Sequence, residues 1–297
     1  VLWKFKHKTP GFGIQPGYYM TVLSSKPALS PLLAVVNPKG EGGAVAGFGV
    51  PLASDSTKED LARPMTRGIY ALSSPDRKTV LKLRVVSKEE AGFDPAPFLR
   101  SPMAAGLDKE LLARISATWT LMQLTFESYD PMVYEGVRFM LGCCRRLAEL
   151  HDGVVADPIA QTYRLPDQVF TAKPADARID ARDVVQVFIR PRRDEPSVLT
   201  SYTLGMQKFG MAEMEMPGLS SATQDLATRF LFSLAQSALL GRMIDLGDRV
   251  GDSTCMLQVA PGGLDRGMWE GIECYELIPP SGRTVDEALL AWAATSM

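Results

Sequence analysis

The chain has 297 residues, 46% of them apolar and 22% charged, with a formal net charge of −2. This composition excludes global disorder, a collagen-like repeat and a coiled-coil rod, and the length suffices for a core without disulfide or metal staples. With 32 basic against 34 acidic residues, no net field draws the chain to nucleic acid or anionic lipid. The only histidines are His7 and His151, so histidine-based catalysis has few places to sit. Cys143, Cys144, Cys255 and Cys274 show no C-x-x-C or zinc-ribbon spacing, and the adjacent pair is foreign to disulfide scaffolds. A reduced, cytoplasmic setting without cofactor is the expectation. No apolar run reaches the ~18–20 residues of a membrane span, and Val1-Leu2-Trp3-Lys4 lacks a charged-then-apolar leader pattern.

Residues 1–106 read as a Gly/Pro-rich N-terminal segment of turns and short strands, punctuated by Pro10-Gly11, Pro16-Gly17 and Pro102. Within it, Leu81, Leu83 and Val85 alternate with Lys82 and Arg84, the period of a half-buried strand. Ile69 to Leu72 supplies a partner, with Ser73-Ser74-Pro75-Asp76 turning between them. From residue 107 an order of elements occurs twice, defining a first α+β lobe at 107–180 and a second at 181–297, an internal duplication in outline. The first opens with a strand through Ile115, Ala117, Trp119 and Leu121, bulging toward Met122, Leu124 and Phe126. Asp130 and Pro131 then start a helix with Val133, Val137, Met140, Leu141, Cys144 and Ala148 on one stripe. That helix ends at His151-Asp152-Gly153, with Gly153 in the left-handed position and His151 favoured as a cation by the helix dipole. A buried strand, Val154-Val155-Ala156, follows.

The second lobe begins with Val185, Val187 and Ile189, turns through Arg192-Arg193-Asp194-Glu195-Pro196 and returns from Leu199 to Leu204. Ser221 and Gln224 have capping-box spacing before a helix whose apolar face is Ala222, Leu226, Phe230, Leu234 and Ala238. Strands follow at Thr254 to Val259 and Cys274 to Ile278. Thr284 and Glu287 cap a terminal helix. The fold class is α+β: two similar strand-helix-strand lobes, antiparallel or mixed sheet with helices packed on it, preceded by the N-terminal β segment.

Local motifs favour structure over chemistry. Val35 to Gly43 resembles a phosphate-binding loop but lacks the Lys and the Ser or Thr that meet phosphate and Mg²⁺, so it reads as a Gly-rich turn between strands. Asp245, Asp248 and Asp252, with Gly247 and Gly251, are metal candidates, although the spacing departs from an EF-hand and suits a plain turn. Glu213 and Glu215 share one face of a strand, either as an acid–base pair or as a solvated face with Met214 and Met216 packed inward. The basic runs Arg145-Arg146 and Arg190 to Arg193 are short and without an aromatic array, which argues against nucleic-acid binding. Met206, Met211, Met214 and Met216 crowd one segment, a composition shared by adaptable partner grooves and ordinary cores.

Thr203-Leu204-Gly205-Met206-Gln207-Lys208-Phe209-Gly210-Met211-Ala212-Glu213 resembles the T-x-G-[LM]-x-K-F-G-x-P-E signature of an uncharacterised bacterial family, one of the domains of unknown function. Ala212 departs from its Pro, and Asp152-Gly153-Val154-Val155 with Asp157 resembles an upstream element of such proteins. The resemblance implies a soluble bacterial α+β accessory or interaction module and transfers no catalytic residue. From the residues, Phe209 between Gly205 and Gly210 sits on a turn where it anchors either the core or a partner. The functional expectation is a non-enzymatic protein-binding or scaffold protein, with Met206, Phe209 and Met211 as contact candidates and another protein or a second copy as partner. The alternative is a carboxylate- or metal-dependent hydrolase using 213–215 or 245–252.

Overall fold

The computed structural model describes residues 13–52, 61–101, 103–131, 134–169, 179–192, 195–262, 269 and 271–295. His7, Pro10, Gly11, Pro102, Val133, Arg193 and Asp194 lie outside them. The chain divides into two units, Pro16–Ala177 and a discontinuous one made of Val1–Gln15 with Arg178–Met297. Both are α+β.

The first unit is built on a seven-stranded sheet. Its elements are β1 (Tyr19–Ser24), α1 (Leu32–Val35), β2 (Val36–Asn37), β3 (Val45–Ala46), β4 (Phe48–Pro51), β5 (Gly68–Ser73), β6 (Val80–Ser87), α2 (Ala96–Leu99), α3 (Lys109–Ser116), β7 (Thr120–Ser128), α4 (Glu135–Leu150), β8 (Val154–Asp157) and β9 (Thr162–Arg164). The sheet order is β4-β5-β6-β7-β1-β8-β9, and every neighbouring pair is antiparallel. Strands from both sides of residue 106 therefore share one sheet, so 1–106 is not a segment apart from 107–180. Period-two alternation buries Tyr70, Leu72, Leu81, Leu83, Met122 and Leu124 on the face carrying α4, whose stripe is Val137, Met140, Leu141, Cys144, Leu147 and Ala148.

Three local expectations change here. Ile115 belongs to α3, not to a strand: Asp108 accepts the Glu110 amide at 2.7 Å as N-cap, and Leu111 and Ile115 are buried one helical turn apart. β7 begins only at Thr120, and the register against β6 slips between Val80 and Leu81 rather than near Met122. Helix α4 starts after Tyr134, not after Asp130. At its end Asp152, with φ +46°, takes the left-handed position, and Gly153 donates its amide to the Ala148 carbonyl at 2.9 Å, closing a Schellman turn. Gly153 is needed for proximity: a Cβ there would lie 3.0 Å from the Leu23 carbonyl oxygen.

The second unit holds α5 (Ala181–Val184), β10 (Gln186–Pro191), β11 (Leu199–Leu204), β12 (Glu213–Leu219), α6 (Gln224–Leu239), β13 (Arg249–Gly251), β14 (Met256–Pro261), β15 (Cys274–Ile278) and α7 (Val285–Thr295). Its sheet runs β10-β11-β12-β15-β14-β13, mixed because β12 and β15 are parallel. Each unit thus has an antiparallel meander, of four strands (β4 to β7) in the first and three (β10 to β12) in the second, followed by a sixteen-residue helix. They differ in the next strand: β1 is antiparallel to β7, whereas β15 is parallel to β12. Helix α6 starts after Thr223 rather than through a Ser221 capping box, and Thr223 makes no side-chain cap bond, its hydroxyl donating instead to the Asp286 carboxylate of α7. Its buried face is Ala227, Phe230, Leu231, Leu234, Ala235, Ala238 and Leu239, with Ala222 exposed. The terminal helix has the expected reciprocal cap between Thr284 and Glu287, at 2.8 and 3.2 Å.

Candidate functional site

The segment Thr203–Glu213 folds around a buried carboxylate. Gly205, at φ +120°, ends β11 and opens a single 3₁₀ turn, Met206–Phe209, which Gly210 closes at φ +64°. Glu213 opens β12 and is fully buried. Its carboxylate accepts the Thr203 hydroxyl at 2.8 Å and the amides of Gly205 at 2.8 Å and Gln207 at 3.2 Å. Glu213 therefore caps the turn from below, satisfying amides that a short helix leaves open. Burial raises its pKa, and those donors oppose the shift. Gly205 has no substitute: a Cβ would meet the Val184 carbonyl oxygen at 2.4 Å. Met206 and Phe209 are core residues, each about 1% exposed, and Met211 is half-buried. The turn drives its apolar side chains inward, so these three do not form an external contact surface.

Glu215 is buried as well, which removes the solvated-face reading of 213–215. The face bearing both glutamates is roofed by Trp269, whose indole N–H donates to Glu215 Oε2 at 3.0 Å. Tyr202 meets Trp269 edge-on at 5.6 Å between centroids and stacks on Phe188 at 5.6 Å, and Arg190 lies over the Tyr202 ring. Glu276 stands directly opposite Glu215 on the parallel strand β15. Burial, and then the Glu215 charge, raise the Glu276 pKa. Cys274 sits in this row, and burial pushes its thiol upward, away from the thiolate form.

The remaining candidates are occupied structurally. Asp248 accepts the Asp245 amide at 2.9 Å, and Asp252 accepts the amides of Thr254 and Cys255 at 2.8 and 2.9 Å. Among the described residues, no three His, Cys, Asp or Glu side chains gather as metal ligands. His151 is buried between two backbone groups, with Nδ1 2.8 Å from the Leu147 carbonyl and Nε2 accepting the Ser30 amide at 2.9 Å. It is neutral, since burial lowers its pKa, and does not act as a cation on the helix dipole. Burial likewise raises Cys143 and Cys144 on α4. The glycine-rich loop 37–43 presents carbonyls rather than a nest of amides: Arg146 donates to Ala34 and Gly42 at 3.0 Å each, while Asn37 Oδ1 takes the Lys39 and Glu41 amides.

One open surface was missed in the sequence. On the sheet face away from α4, α2 and α3 cover the β7-β1-β8-β9 end, through Leu111 and Ile115 against Leu23, Val154 and Ala156 with Leu121 of β7 packed beside them. At the other end Phe48, Val50, Leu52 and Ile69 remain between 38% and 56% exposed. The register aligns Val50 with Ala71, Ile69 with Arg84 and Ala71 with Lys82, so an apolar stripe borders Arg84 and Lys82, the latter paired with Glu127 at 3.3 Å. Arg77 extends this rim over the Phe48 ring at 5.6 Å. The alternation Phe48, Val50, Leu52 was its sequence signal, masked by the intervening Gly47, Gly49 and Pro51.

No family model, no curated protein and no solved structure matches the chain. No helix among the described residues is long and apolar enough to cross a membrane.

Proposed function

We propose that the chain is a protein-binding module whose contact surface is the outer face of β4, β5 and β6. The supporting observation is the stripe of Phe48, Val50, Leu52 and Ile69 lined by Arg84, Lys82 and Arg77. Contiguous exposed apolar surface with a polar rim is what interaction sites use. The occupant is an amphipathic segment of another protein, apolar along one side and acidic beside it. Charge decides this choice. A second copy packed two-fold on the same face would set basic rim against basic rim, a repulsive arrangement. Strand addition to β4 is disfavoured too, because Pro51 lacks an N–H and the Gly47 amide is already given to Asn37 at 2.9 Å.

The test titrates the full chain with two designed amphipathic peptides, identical on the apolar face and carrying either Glu or Lys on the other. The Glu peptide binds, Val50→Asp abolishes that binding, and Arg84→Glu shifts the preference toward the Lys peptide. Binding of neither peptide, or binding indifferent to Val50→Asp, overturns the proposal. Self-association of the chain abolished by Val50→Asp would assign the face to a second copy and overturn it as well.

A further inference from the structure

We propose that the turn Gly205–Gly210 is a docking site for a short peptide segment, and that residues 13–15 fill it in cis. This site belongs to the discontinuous unit and is independent of the sheet face above. Glu213 takes the Gly205 and Gln207 amides, and the Gly205, Met206 and Gln207 carbonyls accept amides from Lys208, Met211 and Gly210, so the segment meets the turn at Lys208 and Phe209. Gln15 donates its amide to the Lys208 carbonyl at 2.7 Å, and the Ile14 side chain is buried beside it.

The fit depends on glycine at position 13, where the neighbour is backbone, while Gly210 faces only the movable end of the exposed Gln15 side chain. Gly13 has φ +85°, and a Cβ there would lie 2.2 Å from the Phe209 carbonyl oxygen. Across the contact, a Cβ on Gly210 would lie 2.7 Å from Gln15 Nε2, the atom that also binds the Gly13 carbonyl. The ligand chemistry follows: a residue without a Cβ, a buried branched aliphatic side chain, then a residue offering its backbone amide. The signature thus divides its labour. Thr203, Gly205 and Glu213 shape the turn, and Lys208, Phe209 and Gly210 receive the segment.

Pro16 and Gly17 are exposed, so a protease recognition sequence inserted there in the full chain allows the covalent link to be cut. After cutting, the N-terminal fragment coelutes with the rest of the chain in gel filtration. Ile14→Asp and Gly13→Val each weaken retention by about a hundredfold, as expected when a buried contact is replaced by a charge or a clash. Hydrogen exchange at the Gly205 and Gln207 amides stays slow in both variants, because Glu213 protects them. Immediate loss of the unmutated fragment overturns the proposal, as does retention of both variants equal to that of the unmutated fragment. Loss of protection at Gly205 and Gln207 also overturns it, since the segment would then be part of the turn's fold rather than its occupant.

Discussion

Thr203 gives its hydroxyl proton to the Glu213 carboxylate at 2.8 Å and accepts the Met214 amide at the same distance. One small side chain so joins the end of β11 to the start of β12 within a buried site. Thr203→Val keeps the shape and removes both bonds, leaving a buried carboxylate a donor short. The expected loss is about 1.5–3 kcal/mol, the range for hydrogen bonds to charged groups, measured by urea unfolding. Thr203→Ser retains the hydroxyl and most of the stability.

Two glycines with positive φ separate steric from conformational need. Gly205→Ala drives a Cβ to 2.4 Å from the Val184 carbonyl oxygen, whereas Gly218, at φ +83°, has nothing within 4 Å of the same position. Gly218→Ala therefore costs about 1–2 kcal/mol for the left-handed backbone alone. Gly205→Ala adds a clash and costs about 4 kcal/mol or more, the range kept for severe disruptions. Denaturant midpoints of the two variants test the difference.

His151 makes stability depend on pH. Its folded pKa lies below the ordinary 6.5 because of burial, with Lys26 and Arg146 adding to the shift and the Leu147 carbonyl and Asp152 opposing it. The unfolded chain then binds the proton more readily than the folded one. The stabilisation from neutral His151 is complete above pH ~6.5 and is lost as pH falls through the folded value. Thermal midpoints between pH 7.5 and 5.5 should fall in the native chain and fall less in His151→Gln.

All four cysteines are free and buried. Burial raises each thiol, Cys255 to about 11 and Cys143, Cys144 and Cys274 further. Iodoacetamide at pH 8 should leave the folded chain largely unlabelled and modify all four thiols in denaturant. Mass spectrometry after a timed quench reads the result, and Cys255 should be the first labelled under native conditions.

The elements most legible in the sequence were those with a single dominant signal. Leu81, Leu83 and Val85 announce β6, Leu199 to Leu204 is β11, and the Thr284–Glu287 cap is formed as its spacing requires. Ile115 was misread because Ile115, Ala117, Trp119 and Leu121 alternate across a helix end and a strand start, and only the Asp108 cap divides them. The burial of Glu213 and Glu215 was not legible: alternation places both on one face and says nothing of Trp269, more than fifty residues away, roofing it. The contact of Gln15 with Lys208 was hidden for the same reason, since nothing local links two segments on either side of an entire folding unit.

That separation governs the order of events during synthesis. The first unit emerges whole from the ribosome and can close its sheet while its neighbour is still incomplete. Gln15 must wait for Lys208, about 190 residues later, or roughly 10–40 s at ordinary elongation rates. During that interval Ile14 has no pocket and is a hydrophobic side chain exposed to chaperones. The last strand to join, β15, enters beside β12 in the parallel sense, a pairing that is slow because its loop must close first. The discontinuous unit thus closes after the first one, and a nascent chain arrested before β15 should carry one finished unit and one unfinished one.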